Sequence, residues 1–385
     1  MLLYKLSRSF STNAKPLYIG HKPQLKIVKS LSNDTFFNLA YEKKLFDDFQ
    51  TNISTMPTNS SILYLWQNKP SVVIGCNQNA HKECNLSAVE KDGVEFVRRK
   101  SGGGAVYHDL GNSLFSIFTK TQKDYKFENI KAANNQIIIN ALKILGLNGV
   151  ASGRNDILIG DKKVSGSAYR CTKDMVLQHG TMLLKLDLDA LPRYLNPNKA
   201  KLESKGITSV KSRVINLSTY LPNITRDVWD GVLTRSFLKS NSVDHNKFYN
   251  IEIVDHELMC NDLTIKDEIV KAKSWDWRFG KEPFFTHRFD TRFYWGCVDI
   301  LLEVEHSRIK NCKIYTDALN TEFVVAVEQS LQKKVYSKTG IVEGFVDAKK
   351  GMLKDFVDMS EHYKANVHLF SQLDELENFI IKNVV

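Results

Sequence analysis

Two stretches of the chain place apolar residues three and four positions apart, which is the spacing of one face of an α-helix. The first covers residues 36–49 and follows Asn33 and Asp34, either of which can cap a helix N-terminus. The second covers residues 127–145 and ends just before Gly146, a residue type typical of helix C-termini. We therefore expect two amphipathic helices in the N-terminal half.

Short runs of apolar or alternating residues, bounded by turn residues, predict β-strands. The predicted strands cover residues 62–66, 71–74, 94–98, 112–119, 156–159, 163–166, 177–188, 298–304 and 313–316, and two further helices cover residues 352–362 and 372–383. Gly160 and Asp161 form the turn of a hairpin between two of these strands. Because hairpins and helices are mixed without a strict strand–helix–strand rhythm, the pattern indicates an α+β fold.

The organisation changes in the second half of the chain. Residues 190–275 carry a weak, turn-rich pattern, and clear strand and helix signals return after them. We expect a domain boundary near residue 280, with a larger domain over residues 30–280 and a smaller one over residues 284–385. A length of 385 residues with 43% hydrophobic residues is sufficient for two such cores.

The first 33 residues differ in composition from the rest. They contain six Lys or Arg and no Asp or Glu, and Ser and Thr are interspersed with Leu and Phe in residues 1–14. A basic, hydroxylated, acid-free segment of this kind is typical of a mitochondrial transit peptide, and its apolar run is too short for a secretory signal. We expect residues 1–25 to be a leader that directs the protein to the mitochondrial matrix; a disordered basic tail is the alternative.

The chain as a whole is basic, with 53 Lys and Arg against 43 Asp and Glu and a formal net charge of +10. This excess favours acidic partners, whether nucleic acid, an anionic membrane or an acidic protein. No apolar run reaches the roughly 18 residues of a membrane-spanning helix. Much of the basic excess lies in the leader, and the aromatic residues form no nucleic-acid-binding run. We therefore expect neither nucleic acid nor a membrane as the partner.

Three consecutive glycines, Gly102 to Gly104, directly follow the short basic run Arg98-Arg99-Lys100-Ser101. Without a Cβ, they let a ligand approach the backbone closely, and their N–H groups can surround an anion. Arginine adds a planar pair of donors that suits phosphate or carboxylate. The run does not match the common phosphate-loop patterns GxxxxGK[ST] and GxGxxG. It predicts an anion-binding loop, with a simple bulge or turn as the structural alternative.

The predicted hairpin carries a second candidate, Lys163. Residues 165–168, which follow it closely, are all small and would leave room for a ligand at its ammonium group. Periodicity alone does not single Lys163 out, because Lys162 precedes it and lysines are mostly exposed.

Several segments together resemble the lipoate–protein ligase family. They are RRKSGGGAVYHDLGN (98–112), WQNKPSVVIGCNQNAHKECN (66–85), ASGRNDILIGDKKVSGSAYR (151–170), HGTMLL (179–184) and YLNPNKAKLESKGITSVKSRVINL (194–217). SWDWRFGKEPFF and the tract up to YTDALN are similar to the accessory C-terminal domain of the bacterial, long form. With its leader, the chain resembles a mitochondrial, fungal-type member or a related lipoyltransferase.

The resemblance implies a fold and a reaction. The fold is that of the biotin/lipoate ligase catalytic domain, a mixed sheet flanked by helices, followed by a small α+β accessory domain. In the reaction, lipoate or octanoate and ATP would give an acyl-adenylate and pyrophosphate, and the acyl group would then pass to a lysine of an acceptor domain. The implied acceptors are the acidic lipoyl domains of 2-oxoacid dehydrogenase complexes and the glycine-cleavage H protein, which a basic enzyme suits.

The resemblance also implies roles for residues at matching positions. The residues that would hold the nucleotide and its α-phosphate are Arg99, Gly104, Ala105, Val106 and Tyr107. The catalytic residue would be Lys163, in contact with both the lipoate carboxylate and the phosphate, and His179 would line the site. Asp156 would orient Lys163 or help to hold Mg²⁺. Because adenylation joins two anions, cations are needed where they meet.

Two related activities remain as alternatives. A lipoyl or octanoyl transferase would take its acyl group from a pre-activated donor, such as acyl-AMP, acyl-CoA or an acylated H protein, without an adenylation step of its own. A biotin ligase would share the fold, although the loop RRKSGGGAV matches the lipoate branch more closely.

Overall fold

The computed structural model describes residues 24–58, 60–121, 125–196, 213–241, 250–259, 261–279, 285–353 and 367–384. Among these residues, no helix is long and apolar enough to cross a membrane. The predicted leader lies outside them except for its last two residues, and so does most of the predicted helix over residues 352–362.

Strands and helices are numbered in chain order. The strands are β1 (Leu25–Ser30), β2 (Ser61–Trp66), β3 (Ser71–Ile74), β4 (Glu95–Arg98), β5 (Val106–His108), β6 (Asn112–Lys120), β7 (Gly149–Ser152), β8 (Asp156–Ile159), β9 (Lys162–Cys171), β10 (Met175–Leu183), β11 (Ile251–Val254), β12 (His287–Phe293), β13 (Gly296–Glu305) and β14 (Arg308–Thr316). The helices are α1 (Thr35–Asn52), α2 (Ala80–Glu83), α3 (Leu86–Lys91), α4 (Phe127–Ile144), α5 (Ala190–Tyr194), α6 (Arg226–Ser240), α7 (His256–Met259), α8 (Leu263–Lys273), α9 (Trp275–Arg278), α10 (Glu322–Leu331), α11 (Lys338–Leu353) and α12 (Val367–Asn383).

An eight-stranded sheet in the order β11-β1-β2-β6-β10-β9-β8-β7 forms the centre of the larger domain. Strand β1 pairs in parallel with β2 and β11, and the remaining pairs are antiparallel. Helices α4 and α6 pack on one face of the sheet, and α1 and α8 on the other. The expectation of a mixed sheet flanked by helices is thus confirmed.

Both helices predicted from apolar spacing are present. Asp34 caps α1, with its carboxylate accepting a hydrogen bond from the Phe37 N–H at 2.7 Å. Helix α4 ends at Ile144, and Gly146 follows with a φ of +80°. The Asp34 cap therefore marks the beginning of α1, and Gly146 follows the end of α4, as the sequence indicates.

The expectation of a weak, turn-rich pattern over residues 190–275 was partly wrong, because α6, β11 and α8 lie there. Helix α6 buries polar residues as well as apolar ones, which obscures its periodicity. Asp230 forms an ion pair with Lys29 at 3.1 Å, and the Ser236 hydroxyl donates to the Ile137 carbonyl at 2.6 Å. These polar residues are satisfied by partners distant in sequence, which periodicity alone does not reveal.

Strand β10 is shorter than the predicted strand over residues 177–188 and ends at Leu183. The next two backbone N–H groups, of Leu184 and Lys185, both donate to the Gly111 carbonyl, at 3.0 and 2.8 Å. A Cβ on Gly111 would lie 2.0 Å from the Lys185 carbonyl oxygen. This close contact with the turn before β6 ends the strand.

The C-terminal domain has a core of its own. Its antiparallel sheet, in the order β12-β13-β14, packs against α10, α11 and α12. His306 and Ser307 form the tight turn between β13 and β14, with φ values of 49° and 58°. The expectation of a small α+β C-terminal domain is confirmed.

Candidate active site

A cleft of about 370 Å³ lies between strands β8 to β10, the glycine run and the C-terminal domain. The predicted site residues that line it are Arg99, Gly104, Ala105, Val106, Asp156, Lys163 and His179. Tyr107 is instead buried against Tyr194, with 5.4 Å between ring centroids. Apart from this one side chain, residues that are far apart in sequence meet in one place.

The glycine run needs glycine for steric reasons. Gly103 has a φ of +88°, a conformation that other residues rarely adopt. A Cβ on Gly75, in the neighbouring loop, would lie 2.3 Å from the Gly103 carbonyl oxygen. On the other side, the Gly103 N–H donates to the Ala318 carbonyl of the C-terminal domain at 3.0 Å. The run is therefore held between two backbone segments.

Arg99 is buried beneath the glycine run and organises it. Its guanidinium donates to the carbonyls of Gly102 at 2.6 Å and Gly104 at 2.9 Å, and its Nε donates to the Ser101 hydroxyl at 3.0 Å. Burial lowers the pKa of Arg99 to about 10, so it is still charged at neutral pH. Here Arg99 supports the loop, and its direct contact with a nucleotide stays a prediction.

The two basic neighbours of Arg99 have other partners. Arg98 donates to the carbonyls of Gln78 at 2.6 Å and of Arg278, at the end of α9, at 2.7 Å. Lys100 pairs with Glu268 on α8 at 2.7 Å. Of the three basic residues before the glycines, Arg99 is the one that lines the cleft.

A chain of buried polar contacts runs under the cleft. The Ser101 hydroxyl lies 2.6 Å from His179 Nε2, and His179 Nδ1 lies 2.9 Å from a carboxylate oxygen of Glu42 on α1. The same oxygen accepts from the Ser116 hydroxyl, which in turn accepts from the Trp66 indole N–H. Glu42 was not predicted as a site residue. Its signal in the sequence is a carboxylate on the largely apolar face of α1.

Lys163 occupies a defined position at the start of β9. Its ammonium group lies 2.8 Å from Asp156 Oδ1, and the guanidinium of Arg213 pairs with the other oxygen of Asp156. A Cβ on Gly166 would lie 2.5 Å from Lys163 Nζ, so the lysine side chain folds back over this glycine. A register shift in the hairpin between Ile157 and Leu158 accompanies this arrangement.

The surroundings of Asp156 argue against its second predicted role, as a ligand of Mg²⁺. Both of its carboxylate oxygens are paired with cations. Asp317, across the cleft, also has a cationic neighbour, Arg154, at 3.6 Å. Within the described part of the chain, no group of three or more potential metal ligands occurs. Among the described residues, Asp156 is therefore a partner of Lys163 and Arg213, and its predicted roles in orienting Lys163 and in holding Mg²⁺ stay predictions.

The C-terminal domain lines part of the cleft, which the sequence did not suggest. Its residues in the lining are Arg292, Tyr294, Cys297, Asp317 and Leu319. Arg154, from the turn before β8, donates to the Trp295 carbonyl and faces Asp317. Arg154 lies inside a quoted motif of the catalytic domain, whereas Arg292 lies in the tract that resembles the accessory domain, where no local pattern assigns it to the site.

The lining of the cleft combines two kinds of chemistry. Trp66, Val73 and Leu114 contribute apolar surface, whereas Lys163, Arg213 and Arg292 contribute cationic groups. Such a cleft suits an apolar molecule with an acidic head group. The fold and the site together define an enzyme that binds a small ligand between its two domains.

Comparison with known proteins identifies the family. The model of the lipoyl protein ligase A/B catalytic domain matches residues 34–238, and that of the bacterial lipoate protein ligase C-terminus matches residues 282–358. Lipoate-protein ligase A of Psychrobacter cryohalolentis is 37% identical over 359 residues, which cover 93% of this chain and 98% of that protein. The chain belongs to the lipoate–protein ligase family and is a ligase.

Two solved structures support the assignment. Plasmodium falciparum LipL1 in complex with lipoate is 30% identical with a TM-score of 0.74, and the match covers 93% of this chain and 99% of that one. A lipoate-protein ligase A bound with ATP is 26% identical with a TM-score of 0.54, and the match covers 67% of this chain and 99% of that one. The attachment of lipoate to proteins is the activity that these likenesses support.

Proposed function

We propose that this protein attaches lipoate or octanoate to a lysine of acceptor lipoyl domains, using ATP and an acyl-adenylate intermediate. The observation that carries the proposal is the position of Lys163, which Asp156 holds at 2.8 Å in the same cleft as the glycine run. A cation placed where a carboxylate meets a phosphate offsets their repulsion and stabilises the charge of the transition state.

The reaction has two half-reactions, and Lys163 acts in the first. In the first, a carboxylate oxygen of lipoate attacks the α-phosphorus of ATP and pyrophosphate leaves, while Lys163 contacts both anions. In the second, the neutral amine of the acceptor lysine attacks the acyl carbonyl, AMP leaves and the amine loses a proton. The mixed anhydride is reactive enough that positioning supplies much of the acceleration. No nucleophile from the protein is required.

Lipoate-dependent exchange of ATP with pyrophosphate tests the first half-reaction. Lys163→Ala should reduce exchange by roughly a hundredfold or more, because the cation at the reacting centre is lost. Lys162→Ala is the matched control, since Lys162 lies next in sequence and pairs with Asp161 at the hairpin turn. Wild-type exchange in Lys163→Ala would contradict the site assignment.

The same assay separates the ligase from the transferase alternative. A ligase exchanges ATP and pyrophosphate with lipoate or octanoate present. If the wild-type protein shows no exchange with either acid but transfers the acyl group from acyl-AMP, acyl-CoA or an acylated H protein, the transferase is correct.

The proposed acceptors are acidic, namely the lipoyl domains of 2-oxoacid dehydrogenase complexes and the glycine-cleavage H protein. The full chain has a formal net charge of +10, and without residues 1–23, which hold four Lys or Arg and no Asp or Glu, +6 remains, which supports this choice. We expect acceptor affinity to fall when salt rises from about 50 to about 300 mM, because screening weakens attraction between exposed charges. An affinity that does not change over this range would contradict the charge argument.

The proposed location is the mitochondrial matrix. It rests on the acid-free, basic and hydroxylated composition of the first 33 residues. Residues 1–30 fused to a fluorescent protein should direct it into mitochondria. A reporter that stays in the cytosol would refute the leader.

A further inference from the structure

Arg292, on β12 of the C-terminal domain, lines the same cleft as Lys163 and the glycine run. Its guanidinium donates to the Cys297 thiol at 3.1 Å, and sulfur is a weak acceptor. Among the described residues, no carboxylate lies within ion-pair distance of Arg292. Three other cationic residues of the cleft do have carboxylate partners. Arg154 faces Asp317, and Lys163 and Arg213 both pair with Asp156.

A path of contacts connects Arg292 to the reacting end of the cleft. The backbone N–H of Cys297 donates to Asp317 at 2.7 Å, and the other oxygen of Asp317 lies 3.6 Å from Arg154. Arg154 precedes Asp156, the partner of Lys163, by two residues. Arg292 and Lys163 therefore line the same cleft, each from a different domain.

The charges of the cleft do not balance. Its cationic lining residues are Arg99, Arg154, Lys163, Arg213 and Arg292, and its carboxylates are Glu83, Asp156 and Asp317. Five cations against three carboxylates leave an excess of two positive charges. An excess that faces a cleft attracts and retains polyanions. The triphosphate of a nucleotide has the charge that would balance it.

We infer that Arg292 binds the β- and γ-phosphates of ATP and stabilises the pyrophosphate that leaves during adenylation. This rests on the proposed function. In the proposed function Lys163 serves the carboxylate and the α-phosphate, which leaves Arg292, a cation of the same cleft, for the phosphates beyond them. The planar fork of arginine matches two phosphate oxygens. As the P–O bond to pyrophosphate breaks, its electron pair goes to the leaving oxygen, and Arg292 offsets that charge.

Arg292→Ala tests the inference when the two half-reactions are measured separately. ATP–pyrophosphate exchange with lipoate should fall by roughly tenfold to a hundredfold, with a raised KM for ATP, because a charge-assisted contact is lost. Transfer from chemically prepared lipoyl-AMP to a lipoyl domain should keep the wild-type rate, since no pyrophosphate takes part. Arg292→Lys should recover part of the exchange. The control is Arg288→Ala on the same strand, whose guanidinium pairs with Asp299 at 2.8 Å.

Each outcome of these measurements either supports or overturns the inference about Arg292. Unchanged exchange in Arg292→Ala would overturn the inference, and so would an equal loss of exchange and of transfer, which would indicate a structural role. Absence of exchange in the wild-type protein would overturn the proposed adenylation and this inference with it. Exchange in the wild type that persists in Arg292→Ala would overturn the inference alone.

Discussion

The ammonium group of Lys163 occupies space that a side chain on Gly166 would need. An alanine Cβ there would lie 2.5 Å from Nζ and 2.7 Å from Cε of Lys163. Because the far end of a flexible side chain can move, Gly166→Ala should displace the lysine with little effect on the fold.

We expect adenylate formation by Gly166→Ala to fall roughly tenfold or more, since misplacing a catalytic group by about 1 Å is costly. Its thermal midpoint should stay close to that of Gly231→Ala, a control in which the new methyl group meets no atom within 4 Å. ATP–pyrophosphate exchange and thermal unfolding together check this. Exchange at the wild-type rate would mean that the observed position of Lys163 is not required.

The buried imidazole of His108 makes the stability of the fold depend on pH. It is buried beside Asn68, and burial, with the charges of Arg99 and His179, lowers its pKa to about 3. The unfolded chain binds this proton near pH 6.5, so below that value protonation favours unfolding. The native state should lose about 2 kcal/mol from this group between pH 7 and pH 5.

Urea unfolding of the wild-type protein and of His108→Gln, each at pH 7 and pH 5, measures this effect. The variant has no imidazole to protonate, so its stability should fall by less on acidification. Equal losses in both proteins would show that His108 is already protonated in the folded state or is exposed before unfolding.

Single residues could be predicted from the sequence where the neighbouring residues carry a recognisable signal. The glycine run and Lys163 stand in recognisable local contexts, and both line the cleft. Tyr107 was assigned to the site because its neighbours belong there, but alternation along β5 turns its side chain into the core. Arg292 lies in a separate domain, and only tertiary structure places it near the others.

At the scale of elements, α1 and β10 are joined by one carboxylate. Glu42 accepts from the Ser116 hydroxyl and lies 2.9 Å from His179 Nδ1, in a buried setting. Glu42→Ala would leave two polar groups without an acceptor, which should lower the free energy of unfolding by about 1–3 kcal/mol.

Chemical unfolding checks the role of Glu42, with Glu90→Ala on α3 as the control, since that side chain is exposed. Glu42→Gln, which keeps an acceptor, should lose less than the alanine variant. If both Glu42 variants match the control, the contact between helix and strand contributes nothing measurable.

Elements with local signals were predictable, whereas elements completed by distant partners were not. Helices α1 and α4 show apolar faces and recognisable ends. Strand β1 pairs with β11, more than two hundred residues later, so neither short segment stands out in the sequence. Helix α6 buries Asp230 and Ser236 against partners elsewhere in the fold.

At the scale of the whole molecule, the two domains meet on the glycine run. A Cβ on Gly102 would lie 2.3 Å from the Ala318 carbonyl oxygen. Because this oxygen belongs to the backbone, it cannot move aside as the end of a flexible side chain can. The interface is completed by a hydrogen bond from the Thr316 N–H to the Asn77 carbonyl at 2.7 Å and by an ion pair between Lys82 and Asp299 at 3.1 Å. Gly102→Ala should weaken domain contact by about 1–3 kcal/mol, as overpacking does in cores.

Calorimetry can measure that weakening. The wild-type domains should unfold in one transition, and Gly102→Ala should separate it into two. Gly351→Ala, where a new methyl group meets nothing within 4 Å, should behave like the wild type. A single unchanged transition in Gly102→Ala would show that the interface tolerates the extra group.

The pairing of β1 sets a limit on where the proposed leader can be removed. Strand β1 lies between β2 and β11, so its loss would divide the sheet, and its Lys29 pairs with Asp227 and Asp230 on α6. Directly before β1, the Gln24 N–H donates to the Ser60 hydroxyl at 3.1 Å. Removal of the proposed leader before Gln24 would keep all of these contacts, whereas removal of the whole of residues 1–25 would take away the first residue of β1.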